Sequence, residues 1–191
     1  MKALRIPVLC LCLGLTAACA AENGRQLAGS FDSGVAAYDA GDHPKAYEIW
    51  SAIADQDLAA QRNVAMMLRK GDGVKKNPAA AESMYRRAAE AGLPTAQADL
   101  ADMLLKGEAG PPNPKAALPL LAAAAAANHP VAQYELAQMY ETGQDGLVPK
   151  DLNTARTLYA AAASHGMKEA AEKARVLGPP RPSPTPTAPR P

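Results

Sequence analysis

From residue 60 onward, apolar and polar positions alternate with a helical period. In "AQRNVAMMLRKGDGV" the apolar residues Val64, Met67 and Leu68 stand at i, i+3 and i+4, a spacing that puts them on one helix face. The same face returns in "AQADLADMLLKGEAG" as Leu100, Met103 and Leu104, and in "AQYELAQMYETGQDG" as Leu136, Met139 and Tyr140. The three stretches start at Ala60, Ala96 and Ala132, 36 residues apart both times. Ala65, Ala101 and Ala137 share the face, and a methyl there lets a neighbouring helix come close. A second apolar stripe follows each first one: Ala81, Met84, Tyr85, Ala88 and Ala89, then Ala117, Leu120, Leu121, Ala124 and Ala125, then Ala155, Leu158, Tyr159, Ala162 and Ala163. The pattern predicts an all-α chain of repeated two-helix units, each too small to bury its own apolar face and so stacked on the next.

Proline and glycine set the boundaries. Pro78 and Pro114 fall where second helices are expected to begin, and Gly92 and Gly166 where they are expected to end. The third unit is longer by two residues, within "GQDGLVPKD", so the insertion is expected to spare both of its helices. Pro119 lies inside the second helix of the middle unit, where it removes a backbone donor and crowds the preceding turn. That helix is expected to start late or to bend. Upstream, "GDHPKAYEIWSAIADQ" carries a second-helix stripe of Ala46, Ile49, Trp50, Ile53 and Ala54, with its own first helix expected from Phe31. Downstream, "KEAAEKARVLG" restarts the first-helix pattern without a partner and reads as a terminal cap. The resulting division is a helical pair at 28–58, repeats at 59–94, 95–130 and 131–168, and a capping helix at 169–177.

The two ends read differently. Residues 1–20 begin with Lys2 and Arg5, continue with an apolar run from Ile6 to Leu15 and finish in small residues. That is the order of an export signal, and the run is too short to span a bilayer. Two processing routes fit. Ala18-Cys19-Ala20 is a small-x-small cleavage site that would release a soluble protein; "LTAAC" resembles a bacterial lipobox, with Cys19 as the lipidated residue and Thr16 where leucine is usual. At the other end, residues 178–191 are proline at half of their positions, which excludes a helix and favours an extended polyproline rod or a disordered tail.

Composition narrows the choices further. Hydrophobic residues make up 48% of the 191 but aromatics only 4%, so the core depends on alanine and close backbone approach. All three cysteines, at 10, 12 and 19, lie within the signal segment, which leaves none for a disulfide in the repeats. Without Lys2 and Arg5 the chain carries 18 basic against 19 acidic residues, a balance unlike the basic excess of nucleic-acid binders.

A 36-residue unit of Ala-x-x-x-Leu-small-x-x-(Tyr/Met), a Gly-x-Gly-Val turn and a second helix resembles the Sel1-like repeat, a relative of the tetratricopeptide repeat. The first unit matches most fully, with Gly71, Gly73, Val74, Asn77-Pro78, Tyr85, Ala88, Ala89 and Gly92. The third keeps Tyr140, Gly143, Tyr159 and Gly166. The middle unit departs most, with Ala109, Leu121 and Asn128 at the places of a turn glycine, the tyrosine and the final glycine. "GDHPKAYEIW" is closer to a plain tetratricopeptide unit. The resemblance covers Phe31 to Leu177 and implies an α/α superhelical solenoid that binds proteins or peptides, in exported bacterial members as an envelope adaptor. Disulfide-rich members are linked to β-lactam chemistry, and the cysteines that go with it are missing here. By the register of such stacks, the concave face would carry Arg62, Met66 and Arg69, then Ala98, Asp102 and Leu105, then Tyr134, Gln138 and Glu141. These positions lie off the apolar stripes and are expected to be at least partly exposed, forming a groove for an extended peptide whose carboxylates Arg62 and Arg69 would hold.

Catalytic motifs are weak by comparison. "GDGVKK" at 71–76 follows a helix, not a strand, and lacks the spacing and the Ser/Thr of a phosphate loop, so it reads as a corner between helices. His43, His129 and His165 sit at non-equivalent helix ends without ligand spacing, so no metal or other cofactor is expected. No Gly-x-Ser-x-Gly or Ser-x-x-Lys occurs. The expectation is a monomeric, non-enzymatic adaptor for a protein or peptide partner. It would sit in the periplasm or outer membrane, or be secreted, touching a membrane only through a lipid on Cys19. An envelope hydrolase acting on peptidoglycan or a β-lactam, and a purely structural lipoprotein, are the competing readings.

Overall fold

The structure, a computed structural model, describes residues 9–178 apart from Asp145, and the side chains of 22 and 24–178 within that range. Residues 1–8 of the expected signal segment, the side chain of Cys19 and the expected tail from Pro179 to Pro191 lie outside the described residues. Nine helices follow one another among the described residues: α1 (Leu9–Asp39), α2 (His43–Ile53), α3 (Leu58–Lys70), α4 (Pro78–Glu90), α5 (Pro94–Lys106), α6 (Pro114–Ala126), α7 (Pro130–Thr142), α8 (Leu152–Ser164) and α9 (Lys168–Leu177). The helix expected from Phe31 is the last part of α1, which starts at Leu9. The chain divides into two compact units, residues 1–84 and 85–191, with the boundary inside α4.

In the first unit, α2 packs between α1 and α3. Trp50 is buried and tilts against Phe31 and Tyr38, at ring distances of 6.1 and 5.8 Å, and its indole N–H donates to the Phe31 carbonyl at 3.2 Å. Gly34 makes this seating possible, because a Cβ there would lie 2.3 Å from the indole nitrogen. In the second unit α5 packs on α6, α6 on α7, α7 on α8 and α8 on α9. The predicted stripes are buried: Leu100, Ala101, Met103 and Leu104 on α5, Ala117, Leu121, Ala124 and Ala125 on α6, Leu136, Ala137 and Met139 on α7. Ala170 of α9 closes the last layer with Ala155, Tyr159 and Ala162.

Two kinds of corner recur. After second helices, the chain closes with paired backbone bonds of the Schellman type. Gly92 and Leu93 donate to Ala89 and Ala88, Asn128 and His129 to Ala125 and Ala124, Gly166 and Met167 to Ala163 and Ala162. After first helices, one bond closes the longer turn: Asn77 N–H to Leu68 O (2.8 Å), Asn113 to Leu104 (2.7 Å) and Asp151 to Tyr140 (2.9 Å). The third of these spans two more residues yet keeps its bond. A small bridge between Gln144 and Val148 takes up the extra length, so the insertion spares both helices. The residue that closes each turn then caps the next helix, with Asn77, Asn113 and Asp151 accepting from the N–H of Ala80, Ala116 and Thr154.

Pro119 does not delay its helix. α6 begins on time at Pro114, capped by Asn113, and continues through Pro119. The proline and Lys115, whose carbonyl loses its partner, both face solvent, so water can replace the missing donor.

Positive φ matters most at two places. Gly73 has φ +69°, and a Cβ there would stand 2.4 Å from the His43 carbonyl carbon. Asn128 takes the left-handed conformation (φ 62°) that glycine takes at 92 and 166; asparagine tolerates it better than other side chains, but less well than glycine. Gly73→Ala is therefore expected to cost about 3 kcal/mol in chemical denaturation, from backbone strain and the clash together. Asn128→Gly is expected to stabilise by about 0.5 kcal/mol in the same assay.

Candidate partner-binding face

The predicted face divides between the two units. In the first, Arg62, Met66 and Arg69 are spaced i, i+4, i+7 on α3 and are all half-buried, as a stripe beside the buried Val64–Leu68 face. α3 holds Arg62, Arg69 and Lys70 and no acidic residue. In the second unit, Asp102 and Leu105 of α5 are half-buried and Gln138 of α7 is exposed. Ala98 is the exception, at 5% exposure, because a side chain that ends at Cβ does not rise past its longer neighbours. Tyr134, at the same register on α7, does.

Asp102 and Gln138 meet in one cleft of about 350 Å³ between α5 and α7, together with Leu105, Lys106, Glu135 and Met139. Glu135 and Lys106 escape a reading by register, because they lie one residue to the side of the predicted stripe. Lys106 reaches back one turn to Asp102, with Nζ 2.8 Å from Oδ1, while its own side chain is 60% exposed.

Tyr134 and Glu141 belong to a different environment. The Tyr134 ring leans on Tyr159 at 5.4 Å. Glu141 accepts from the Tyr159 hydroxyl at 2.5 Å and from Lys173 Nζ at 2.9 Å, so its carboxylate ties α7 to α8 and α9. The hydroxyl of Tyr159 and the ammonium of Lys173 hold the Glu141 carboxyl below the usual carboxylate range against the opposing effect of burial. Burial and the neighbouring carboxylate push the Tyr159 phenol well up. The first unit has a comparable tie: Asp72, in the "GDG" turn, accepts from Tyr38 at 2.9 Å and pairs with Nδ1 of His43, whose ring stacks on Tyr38 at 4.6 Å. Those bonds, with His43 the larger influence, lower the Asp72 carboxyl. The turn once considered for phosphate thus uses its own acid to anchor itself, and Lys75 and Lys76 beside it are exposed.

The histidines act at helix ends. His43 opens α2, and His129 caps α7 by accepting the Ala132 N–H on Nδ1 at 3.3 Å. Among the described residues no group of three His, Cys, Asp or Glu could hold a metal ion. None of the described helices is long and apolar enough to cross a membrane.

The glutamine of the repeated "AQ" pair was also not singled out by pattern. Gln133 is buried and Gln97 half-buried, and each donates to the carbonyl of Ala89 or Ala125 near the end of the preceding helix, at 3.2 Å. The clue was its identical place in all three units.

Comparison with known proteins agrees with this architecture. The Sel1 repeat profile matches residues 58–93, 94–129 and 130–167. A Sel1 repeat protein from Oxalobacter formigenes superposes with a TM-score of 0.71 at 29% identity, over 77% of this chain and 60% of that one. A protective antigen of uropathogenic Escherichia coli with an SLR fold superposes with a TM-score of 0.73 at 26% identity, over 83% of this chain and 34% of that one. The chain thus spans 60% of the length of the first of these proteins and 34% of the second, less than two thirds of either. No curated protein sequence matches it.

Glu141 supplies a test of its tie by pH. A carboxyl depressed below its ordinary value of 4.5 stabilises the fold above that pH, and the contribution is lost as pH falls through the depressed value. Glu141→Gln is expected to lower stability at neutral pH by about 1.5 kcal/mol and to flatten the acid limb of stability against pH. Denaturation curves of the two proteins from neutral pH down through 4.5 check both effects.

Proposed function

The chain belongs to the Sel1 repeat family, and from that premise we propose that it is an exported bacterial envelope adaptor that binds a protein partner through its first-helix face. The family fold is generally a protein-interaction scaffold, and its members are typically non-enzymatic. The observation that carries the reading is the cleft between α5 and α7, where Asp102, Leu105 and Gln138 come together off the buried stripe. The basic stripe of Arg62, Met66 and Arg69 on α3 supplies a second contact surface of opposite charge. Export rests on the signal pattern of residues 1–20, and the lipobox-like "LTAAC" supports an anchor through a lipid on Cys19. The likeness to a protective antigen of a pathogen accords with an envelope or surface location.

Photo-crosslinking tests the adaptor. A crosslinker at Gln138 or Met66 should trap a discrete envelope protein, and Arg62→Glu with Arg69→Glu should abolish the Met66 product. Products that survive charge reversal at α3 unchanged would remove Arg62 and Arg69 from the face. Nitrocefin turnover lost on a single substitution would replace the adaptor with a hydrolase.

The anchor has its own test. Cys19→Ser should move the protein from the membrane fraction to the soluble one, and mass spectrometry should find a lipidated Cys19 at the mature N-terminus. A free N-terminus at Ala21 would instead make it a soluble protein.

A further inference from the structure

The corner between α3 and α4 carries charge that the fold does not use. Lys70, Lys75 and Lys76 are exposed. Among the described residues none of their ammonium groups makes a hydrogen bond or a salt bridge, whereas exposed bases elsewhere, such as Lys45 and Arg175, pair with a carboxylate one turn away. The one acid of the corner is Asp72. One of its oxygens accepts from the Tyr38 hydroxyl and the other pairs with His43, while Lys70 acts on it only at a distance. From residue 58 to residue 76 the chain holds five bases and this single acid.

The other units show that the turn does not need these lysines. The same backbone bond closes all three turns, from Asn77 to Leu68, from Asn113 to Leu104 and from Asp151 to Tyr140. Counted back from that bond, Lys75 and Lys76 stand where the second unit has Pro111 and Pro112 and the third has Pro149 and Lys150. Both lysines also precede the first turn of α4, where the helix dipole favours acids over bases. The backbone that carries them is fixed all the same. Gly71 and Gly73 have φ +77° and +69°, Asp72 is tied to Tyr38 and His43, and Asn77 caps α4.

The surroundings of the lysines select the partner. The exposed residues from 70 to 77 are lysine, glycine and asparagine, so the corner has no exposed apolar or aromatic side chain to anchor a protein interface. A layer of phosphate headgroups needs no such anchor, because each lysine near it is attracted by many anions rather than fitted to one. We propose that this corner is a docking surface for the anionic phospholipid headgroups of a bilayer. The assignment goes beyond the adaptor reading and does not depend on it. Joined to a lipid on Cys19, which does rest on that reading, it also orients the chain. Cys19 and Tyr38 are 19 residues apart on α1, about 28 Å along a helix, and Tyr38 holds the corner through Asp72. Two contacts so placed lay α1 along the membrane.

Vesicle sedimentation tests the headgroup contact on the Cys19→Ser protein, purified after export so that no attached lipid contributes. In about 100 mM salt, where charges more than about 10 Å apart are screened, it should bind phosphatidylglycerol vesicles at millimolar lipid and should not bind phosphatidylcholine vesicles. Each lysine near an anionic surface is expected to strengthen binding by about fivefold. Lys75→Gln with Lys76→Gln should therefore abolish binding in that range, and Lys75→Arg with Lys76→Arg should keep it. Lys115→Gln with Lys168→Gln removes the same charge from exposed places on α6 and α9 and should change nothing. Thermal melts of each variant separate loss of binding from loss of fold.

No binding to phosphatidylglycerol, equal binding to the two kinds of vesicle, or an equal loss in the two glutamine pairs overturns the proposal. A glutamate-rich peptide that binds with the same lysine dependence, where vesicles do not, makes the corner a protein surface instead. Either failure leaves the adaptor and the anchor standing, because crosslinking at Gln138 and fractionation of Cys19→Ser test those separately.

Discussion

Close approach of helices through alanine is the constraint from which the rest of the structure follows. Ala60, Ala65, Ala81, Ala96, Ala101, Ala117, Ala132, Ala137 and Ala155 are all fully buried, and they recur at matching places in the repeats. Few aromatic residues are available to fill wider gaps. A methyl at the crossing brings backbones together at native packing density, where an added methylene is resisted as strongly as a missing one. Alanine also costs a helix nothing in side-chain entropy. Close helices need tight corners, which explains why the chain leaves nearly every helix through a left-handed residue, glycine or Asn128.

Layers held only by small apolar side chains would slide, because methyl against methyl has little directional preference. Polar ties between elements supply the direction. Gln97 and Gln133 each bind one specific carbonyl of the preceding helix, and Glu141 gathers Tyr159 and Lys173 from the two helices that follow it. Asp72 does the same for Tyr38 and His43. Residues 20–191 contain no cysteine, so these hydrogen-bonded groups, and no disulfide, tie the layers there.

The fold class was legible in the sequence because a repeat shows each structural requirement several times over. Val64, Leu100 and Leu136 report one buried position in three versions, and the turn glycines report a backbone conformation directly. What was hidden depends on contacts between residues far apart in the chain. Lys173 stands 32 residues beyond Glu141, and no local pattern predicts that the two meet. Glu141 therefore looked like a surface acid available to a partner. That Pro119 leaves the start of its helix in place was hidden for a related reason, since the cost of a proline in a helix depends on whether the orphaned carbonyl reaches water, which is a property of the packed structure. For the cleft between α5 and α7, register pointed to Asp102, Leu105 and Gln138 among its lining residues but not to Glu135 or Lys106, because a cleft between helices takes residues from the flank of each helix as well as from its centre line.

Comparison of the repeats with one another separates scaffold from surface. The packing positions are almost interchangeable: alanine at 60, 96 and 132, glutamine at 61, 97 and 133, and methionine at 67, 103 and 139. The first-helix stripe is the opposite. It reads Arg62, Ala98 and Tyr134, then Met66, Asp102 and Gln138, then Arg69, Leu105 and Glu141, with no residue type kept at any of the three places. Glu141 and Ala98 have been drawn into the protein, and the remainder still changes from basic on α3 to acidic on α5 and α7. A face that only kept the protein soluble would need no such difference between units. The stripe is therefore the part of each unit in which charge is set independently of packing.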